Sequence, residues 1–192
     1  MRFIVSLYLK FYSCVVYSYN FFLYKKFARN ARIFGPSRID GKKYITICDN
    51  VSIQKHVWLF AGKFSETEPE LIINKGCVIG DFNHIAAVGK VVIGKYVLTA
   101  NRVYISDNLH NYDDISVPIM HQGVRFKSEV VIGDGSWIGE NACIIGAKIG
   151  KNCVIGANAV VTHDIPDYSI AVGIPARVIK KYNQNNKQWE KV

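Results

Sequence analysis

Aliphatic residues recur at every sixth position through much of the chain. The recurrence is clearest between Val130 and Ile144, where Ile132, Ile138 and Ile144 stand at equal intervals. An α-helix repeats its apolar face about every 3.6 residues and a strand repeats it about every two, so neither explains the spacing. Six-residue repeats are typical of parallel β-solenoids, in which short strands of successive coils stack around one core. The spacing therefore predicts a solenoid.

Groups of three such positions follow one another along the chain. A small or β-branched residue stands two positions before most of them, and a glycine often follows, as a tight corner requires. Three strands and three corners make one coil of about eighteen residues, so these groups predict about five coils. The groups are Ile47, Ile53, Leu59; Ile73, Ile79, Ile85; Ile93, Thr99, Ile105; Ile132, Ile138, Ile144; and Ile149, Ile155, Val161.

Interruptions of the repeat indicate where the chain leaves the coil. The interval from Ile105 to Ile132 is too long for unbroken sixes and predicts an inserted loop at about residues 107–127. The interval from Ile144 to Ile149 is one residue short and predicts a tightened corner. Excursions of a solenoid collect on one face, and ligands bind there.

The two ends differ from the repeat. Residues 1–32 are apolar and strongly aromatic and are expected to form a helix that covers the open end of the solenoid. Peripheral contact of the same segment with an anionic membrane surface is the alternative, with Lys25, Lys26 and Arg29 near the lipid headgroups. Residues 33–165 form the predicted β-helix, and residues 166–192 a short helical, basic capping segment and tail.

Composition indicates one domain with a basic surface. The net charge of +9 favours an anionic partner, but the positive residues are dispersed and no nucleic-acid motif accompanies them, so nucleic acid is not expected. The five cysteines form no CxxC pair. We interpret them as reduced structural residues, which favours the cytoplasm, and we expect no metal.

The predicted loop contains the sequence Ile105-Ser-Asp-Asn-Leu-His110. A histidine near its ordinary pKa is a natural general base for a hydroxyl nucleophile. Asp107, Asp113 and Asp114 are candidates to orient this histidine. From the residues alone, the favoured interpretation of His110 is an ordinary surface residue of a polar loop, and the general base is the alternative.

Several segments together resemble the hexapeptide-repeat acyltransferases. They are the repeat from Ile73 to Val161, the Ile-Ser-Asp-Asn-Leu-His sequence, Trp137-Ile-Gly, Ile155-Gly-Ala-Asn-Ala-Val-Val-Thr-His-Asp-Ile-Pro and Val172-Gly-Ile-Pro-Ala-Arg-Val-Ile. More narrowly, the chain looks like the galactoside and maltose acetyltransferases and the O-acetyltransferases of surface polysaccharide synthesis. The resemblance covers residues from about 33 to 181.

This resemblance implies a left-handed β-helix that forms a homotrimer, with active sites in the grooves between subunits and acetyl-CoA as donor. The implied reaction transfers an acetyl group to a sugar hydroxyl, within surface polysaccharide biosynthesis. His110 holds the position of the family's catalytic histidine. Many polysaccharide relatives read Asp-His-x-His there, and this chain has Asn108 in place of the first histidine.

The resemblance also implies roles for other residues. His163 stands where relatives carry lysine, and Arg177 and Lys180 match basic residues near the phosphates. A backbone N–H in the turn from Trp137 to Asn141 is the expected oxyanion donor. The implied acceptor-binding residues are Asp81, Asn83, Asp107 and Trp137, and the implied cofactor-binding residues are Trp137, Gly139, Ala157, Thr162, His163, Arg177 and Lys180.

Other functions share this fold. An N-acetyltransferase of an amino sugar or a serine-type acetyltransferase would use the same donor, and a non-enzymatic scaffold would use none. A zinc-dependent carbonic anhydrase needs three converging histidines, and His84, His110 and His121 lack that family's close pair.

Overall fold

The computed structural model describes residues 20–192, together with Val15 and Ser18. Val15, Ser18 and Asn20 are helical, and the other residues before Asn20 lie outside the described part of the chain. From residue 21 to residue 32 the expected helix is absent, because the chain there forms turns, the strand Lys26–Phe27 and the start of the strand Arg32–Ile33. The predicted membrane contact of residues 1–32 falls largely on the same undescribed part. No helix in the described part of the chain is long and apolar enough to cross a membrane.

The predicted left-handed parallel β-helix is confirmed. Its three sheets form the three walls of a prism, and each coil contributes one strand to each wall. Sheet 1 contains Lys26–Phe27 (β1), Ile45–Ile47 (β4), Glu70–Ile73 (β7), Lys90–Ile93 (β10), Val130–Ile132 (β15) and Lys148–Ile149 (β18). Sheet 3 contains Arg38–Asp40 (β3), Trp58–Ala61 (β6), His84–Ala87 (β9), Tyr104–Ser106 (β12), Cys143–Ile145 (β17) and Val160–Val161 (β20).

Sheet 2 is longer because three strands extend it at the C-terminal end. Its parallel part contains Arg32–Ile33 (β2), Ser52–Ile53 (β5), Val78–Ile79 (β8), Leu98–Thr99 (β11), Trp137–Ile138 (β16), Val154–Ile155 (β19) and Ser169–Gly173 (β21). Ala176–Asn183 (β22) and Gln188–Lys191 (β23) then add in antiparallel fashion. Outside the walls lie the strands Asn108–His110 (β13) and Val124–Phe126 (β14) and the single 3₁₀ turns Lys42–Tyr44 and Ile119–His121.

Vertical columns of aliphatic side chains fill the prism. In sheet 1, Ile73, Ile93, Ile132 and Ile149 pair in direct register from coil to coil, and each is buried. Neighbouring side chains of a strand point to opposite faces, so each short strand turns one of these aliphatic side chains inward. Since a new strand begins about every six residues, the buried aliphatic residues recur at every sixth position. The six-residue period of the sequence is therefore the number of residues from the inward position of one wall to that of the next wall.

Six complete coils are present, one more than the sequence analysis predicts. The additional coil is the first, and its inward positions Phe27, Ile33 and Ile39 follow the same spacing of six. An aromatic residue occupies the first of these positions, so a search for aliphatic residues passes over it. The β-helix accordingly begins at Lys26 rather than at residue 33.

The C-terminal segment forms strands rather than the helical, basic segment that the sequence predicts, so the prediction is wrong about its secondary structure. Within β22, buried Ala176 and half-buried Val178 alternate with exposed Arg177 and Ile179. This period of two is that of a strand, and β21 offers an open edge for it to pair with. Pairing extends sheet 2 over the end of the last coil.

Replacing Ile73 with alanine tests the column directly. The side chain is fully buried, so the variant should lose about 2–5 kcal/mol of unfolding free energy through lost burial and a cavity. Ile72, its neighbour in β7, is only half-buried on the outer face, and Ile72→Ala should cost well under half as much. Denaturant unfolding of both variants makes the comparison, and equal losses would contradict the packing described.

Candidate active site

The predicted loop leaves the prism at the corner between sheet 3 and sheet 1, after β12. Its two ends pair as the antiparallel strands β13 and β14, which place Asn108 opposite Phe126 and His110 opposite Val124. The Asn111 N–H continues the pairing by donating to the Gly123 carbonyl at 3.0 Å. We call this two-stranded element the ribbon. It presents His110 exposed to solvent at a fixed position rather than on a free loop.

Asp107 anchors the ribbon at its base. The side chain is fully buried, and its carboxylate accepts the N–H groups of Val88 and Gly89, at 2.9 and 2.8 Å, and the Asn108 side-chain amide at 2.9 Å. Its carbonyl accepts the Lys127 N–H at 2.8 Å, which closes the other end of the excursion. The predicted acceptor contact of Asp107 is therefore corrected, because this carboxylate has no surface to offer a substrate.

The other two carboxylates suggested as partners of His110 are engaged elsewhere. Asp113 accepts a hydrogen bond from Arg125 at 2.6 Å. Asp114 accepts hydrogen bonds from the hydroxyl and the N–H of Ser116, and these bonds lower the pKa of its carboxyl group. Across residues 20–192, no hydrogen bond joins the His110 ring to any of these carboxylates. The backbone of the ribbon, rather than a carboxylate, positions His110.

Asp81 and Asn83 lie at the corner between sheet 2 and sheet 3, away from the ribbon. The Asp81 carboxylate accepts the Lys55 N–H at 2.8 Å, and the buried Asn83 amide donates to the Gly80 and Ala100 carbonyls, both at 2.7 Å. The bonds with Lys55 and Ala100 join neighbouring coils, and the bond to Gly80 closes the corner itself. The prediction that the two side chains hold a sugar beside His110 is therefore not supported within one chain.

A second group of predicted residues meets on the outer face of sheet 2. Four residues are successive cross-strand partners along this face: Trp137, Val154, Ile170 and Lys180. Arg177 of β22 pairs with Val172 of β21. Three strand spacings of about 4.8 Å separate Trp137 from Lys180, which makes a strip of about 14 Å. Trp137 is 48% exposed. We call this apolar face, which ends in basic residues, the donor strip.

Gly139 and Ala157 lie next to this strip, at the corner between sheet 2 and sheet 3. A side chain on Gly139 would stand 2.6 Å from the Ala157 nitrogen, so only glycine allows the two coils to stack there. The N–H groups of Trp137, Gly139 and Asn141 donate to carbonyls of adjacent coils at 2.8–3.1 Å. The expected oxyanion donor therefore cannot be any of these three groups.

Thr162 and His163 follow β20 at the same corner as the ribbon, two coils further on. Their side chains contact each other, with 3.0 Å between Thr162 Oγ1 and His163 Nδ1. They share no wall with Trp137, Arg177 or Lys180. One chain thus carries two separate halves of the predicted site: His110, Thr162 and His163 on one corner, and the donor strip on another face.

Beside the ribbon lies a cavity of about 530 Å³ that the sequence interpretation does not predict. Phe126, Val88, Glu68 and Glu129 line it, together with Lys90, and we call it the ribbon pocket. Phe126 and His110 lie on the same face of the ribbon, because their cross-strand pairs are two positions apart. The sequence does contain a signal for the ribbon pocket. Leu59 and Ile73 are fourteen positions apart, which is a second interruption of the six-residue repeat.

Two of the three carboxylates that line this pocket are paired with lysines. Glu129 lies 3.2 Å from both Lys90 and Lys148, and hydrogen bonds to these two lysines lower the pKa of its carboxyl group. Glu70 is likewise paired with Lys25. The exposed Glu68 is the unpaired charge among the described lining residues.

His84 is part of an aromatic stack on sheet 3. Its ring lies parallel to Trp58 at 4.1 Å and contacts Tyr104 at 5.2 Å. Burial, and secondarily the charge of Arg38, lowers the pKa of His84. In the described part of the chain, no three His, Cys, Asp or Glu side chains are grouped as a metal site would require.

Comparison with known proteins agrees with this geometry. Residues 129–163 match the family model for the hexapeptide repeat of succinyl-transferase. The galactoside O-acetyltransferase of Escherichia coli is 32% identical over 151 residues, which cover 72% of this chain and 71% of that protein. The chain belongs to the hexapeptide-repeat acetyltransferase family.

Two other members of the family extend the comparison. The chain is 41% identical over 120 residues to the candidate lipopolysaccharide biosynthesis O-acetyl transferase WbbJ of Escherichia coli, covering 59% of this chain and 61% of that protein. It thus spans about three fifths of that relative's length. The crystal structure of a maltose O-acetyltransferase from Clostridium difficile 630 superposes with a TM-score of 0.56 at 31% identity, covering 87% of this chain and 74% of that one.

The role of Asp107 can be tested separately from catalysis. Asp107→Ala should leave the N–H groups of Val88 and Gly89 unpaired and destabilise the fold by about 1–3 kcal/mol. Hydrogen exchange should accelerate at these two amides and along the ribbon. Asp113→Ala, which removes only a surface ion pair, is the matched control and should leave exchange at Val88 and Gly89 unchanged. Unaltered exchange in Asp107→Ala would contradict the anchoring role.

Proposed function

We propose that this protein transfers an acetyl group from acetyl-CoA to a hydroxyl of a sugar acceptor in surface polysaccharide biosynthesis. The observation that carries the proposal is His110, exposed on an anchored ribbon beside a cavity, in a chain of the hexapeptide-repeat acetyltransferase family. The names of the galactoside and lipopolysaccharide relatives support a sugar hydroxyl as the acceptor.

His110 acts as the general base in this proposal. Its neutral ring accepts the proton of the sugar hydroxyl while that oxygen attacks the thioester carbonyl. The new C–O bond forms, the C–S bond breaks, and the proton passes from the ring to the departing CoA sulfur. Holding donor and acceptor together lets the transfer proceed directly, without an acyl-enzyme.

The donor strip supports the proposed position of acetyl-CoA. Trp137 and the aliphatic residues beside it offer an apolar surface to the pantetheine arm, and Arg177 and Lys180 offer positive charge to the phosphates. Gly139 and Ala157 allow close approach at the neighbouring corner. Thr162 and His163 approach the donor from the corner that carries His110, and His163 supplies a polar contact in place of the relatives' lysine.

A complete site requires two copies of the chain in this arrangement. The His110 corner and the donor strip lie on different walls of one prism, so one copy would supply the base and its neighbour the donor surface. Three copies around a threefold axis close this contact in a ring, because each uses one surface of either kind. The family resemblance implies three copies, and we propose a homotrimer with an active site in each groove.

His110→Ala should lower kcat by about 10²–10⁴-fold while acetyl-CoA still binds, because the base acts in the transition state rather than in donor binding. Thioester loss from acetyl-CoA, measured against a panel of sugars, checks this. His121→Ala, an exposed histidine of the same loop, is the matched control and should retain activity. Including amino sugars separates O-transfer from N-transfer, and a preference for the amine would overturn the proposed acceptor class.

Mixing two inactive variants tests the shared site. His110→Ala lacks the base and Trp137→Ala lacks part of the donor surface, and each homotrimer should be impaired. In trimers refolded from an equal mixture, some grooves combine the intact His110 corner with the intact donor strip, so activity should return. Mixing without subunit exchange is the control. Activity that stays at the level of the two separate variants after verified exchange would refute the arrangement.

A further inference from the structure

The C-terminal strands form an aromatic cavity of about 450 Å³ that has no part in the site described so far. We call it the hairpin pocket. Its lining consists of Asn152, Tyr168, Tyr182, Gln184, Lys187 and Trp189.

Packing of the core does not explain these rings. The buried core ends at Ala176, with Val178 packed against it, whereas Tyr182 and Trp189 lie beyond it. Tyr182 and Trp189 are cross-strand partners in β22 and β23, and their rings meet edge to face at 5.3 Å. Trp189 is nevertheless 39% exposed. Two large rings are thus held in a fixed arrangement that stays open to solvent.

The position of the pocket relates it to the donor strip. Lys180 pairs with Ile170, and Tyr182 lies two residues further along β22, which places its side chain on the same face of sheet 2. Tyr168 precedes Ile170 by the same step, and its carbonyl accepts the Tyr182 N–H at 2.9 Å. The hairpin pocket therefore begins about 7 Å from Lys180 along β22, to the side of the basic end of the donor strip.

Polar groups around the pocket suit a base and a phosphate. The amides of Asn152 and Gln184 offer both donors and acceptors, as the edge of a purine ring requires. Lys187 lines the pocket and Lys191 pairs with Lys180 on the same face, so positive charge continues from the strip into the pocket. Lys151 lies 5.4 Å from the Tyr168 ring, although Asp167 at 3.7 Å partly neutralises it.

We propose that the hairpin pocket binds the adenine nucleotide end of the CoA donor, with Trp189 and Tyr182 stacking on the adenine ring and Lys187 near the ribose phosphate. The inference rests on the proposed acetyl-CoA activity and assigns a function to the C-terminal hairpin. Aromatic faces bind nucleobases by stacking, and lysines bind phosphates as point charges. A donor that lies on the strip and turns along β22 at Lys180 would place its nucleotide in the pocket.

Two donors distinguish this role from a structural one. Trp189→Ala should raise KM for acetyl-CoA by ~10-fold, the loss expected for one stacking contact, with kcat unchanged. KM for acetyl-pantetheine, which lacks the nucleotide, should not change. Tyr96→Asn is the control: this exposed ring lies at the same corner of the prism, three coils before Tyr168, and both donors should be used as by the wild type.

Binding of 3′-phosphoadenosine 5′-diphosphate, measured by calorimetry, tests the pocket without catalysis. The wild type should bind this nucleotide and Trp189→Ala should bind it ~10-fold more weakly. An unchanged KM for acetyl-CoA in Trp189→Ala, or an equal rise for both donors, would overturn the proposal. A wild type that uses neither donor would refute the proposed function. The nucleotide titration would then test the hairpin pocket alone. Weaker binding by Trp189→Ala than by the wild type supports the pocket, and absent or unaltered binding overturns it.

Discussion

Register between successive coils is the constraint on which the rest of the structure depends. Each short strand donates and accepts backbone hydrogen bonds with the strands above and below it, and each inward residue stacks on its equivalent in the next coil. Strands of two to four residues could not persist alone, because ordering so few residues costs more free energy than their few hydrogen bonds return. The columns of isoleucine, valine and leucine supply the missing stabilisation.

The same regular stacking leaves few side chains of the coils free to contact a substrate. An inward residue is buried among aliphatic side chains, and many corner residues use their polar atoms to join coils, as Asp81 and Asn83 do. Reactive groups must therefore stand where the register is interrupted. The ribbon illustrates how an interruption is tolerated: Asp107 occupies the corner in place of a regular turn and satisfies the N–H groups of Val88 and Gly89 from the coil before it.

The sequence predicts the scaffold well and the arrangement of the site only in part. A spacing of six follows from local geometry, so Ile132, Ile138 and Ile144 were sufficient to indicate the walls. The first coil and the strand β22 are not predicted, because Phe27 is an aromatic inward residue and β22 is rich in basic residues, so neither shows the aliphatic pattern. The burial of Asp107 depends on amides about twenty residues earlier in the chain, and the ribbon pocket depends on a return strand. The burial of Asp107 leaves no periodic signal, and the ribbon pocket leaves only the longer interval between Leu59 and Ile73.

Coil geometry also sets the distances over which the proposed reaction works. The ribbon that carries His110 leaves the fourth coil, Trp137 lies in the fifth, and Lys180 lies beyond the sixth. The wall strands that precede the proposed base and carry the proposed phosphate-binding residues are therefore separated along the coil axis by a whole number of strand spacings of about 4.8 Å. Because backbone hydrogen bonds fix this separation, side-chain substitutions in the walls leave it unchanged. The interruptions can then vary in sequence to suit an acceptor while the spacing offered to the donor stays constant.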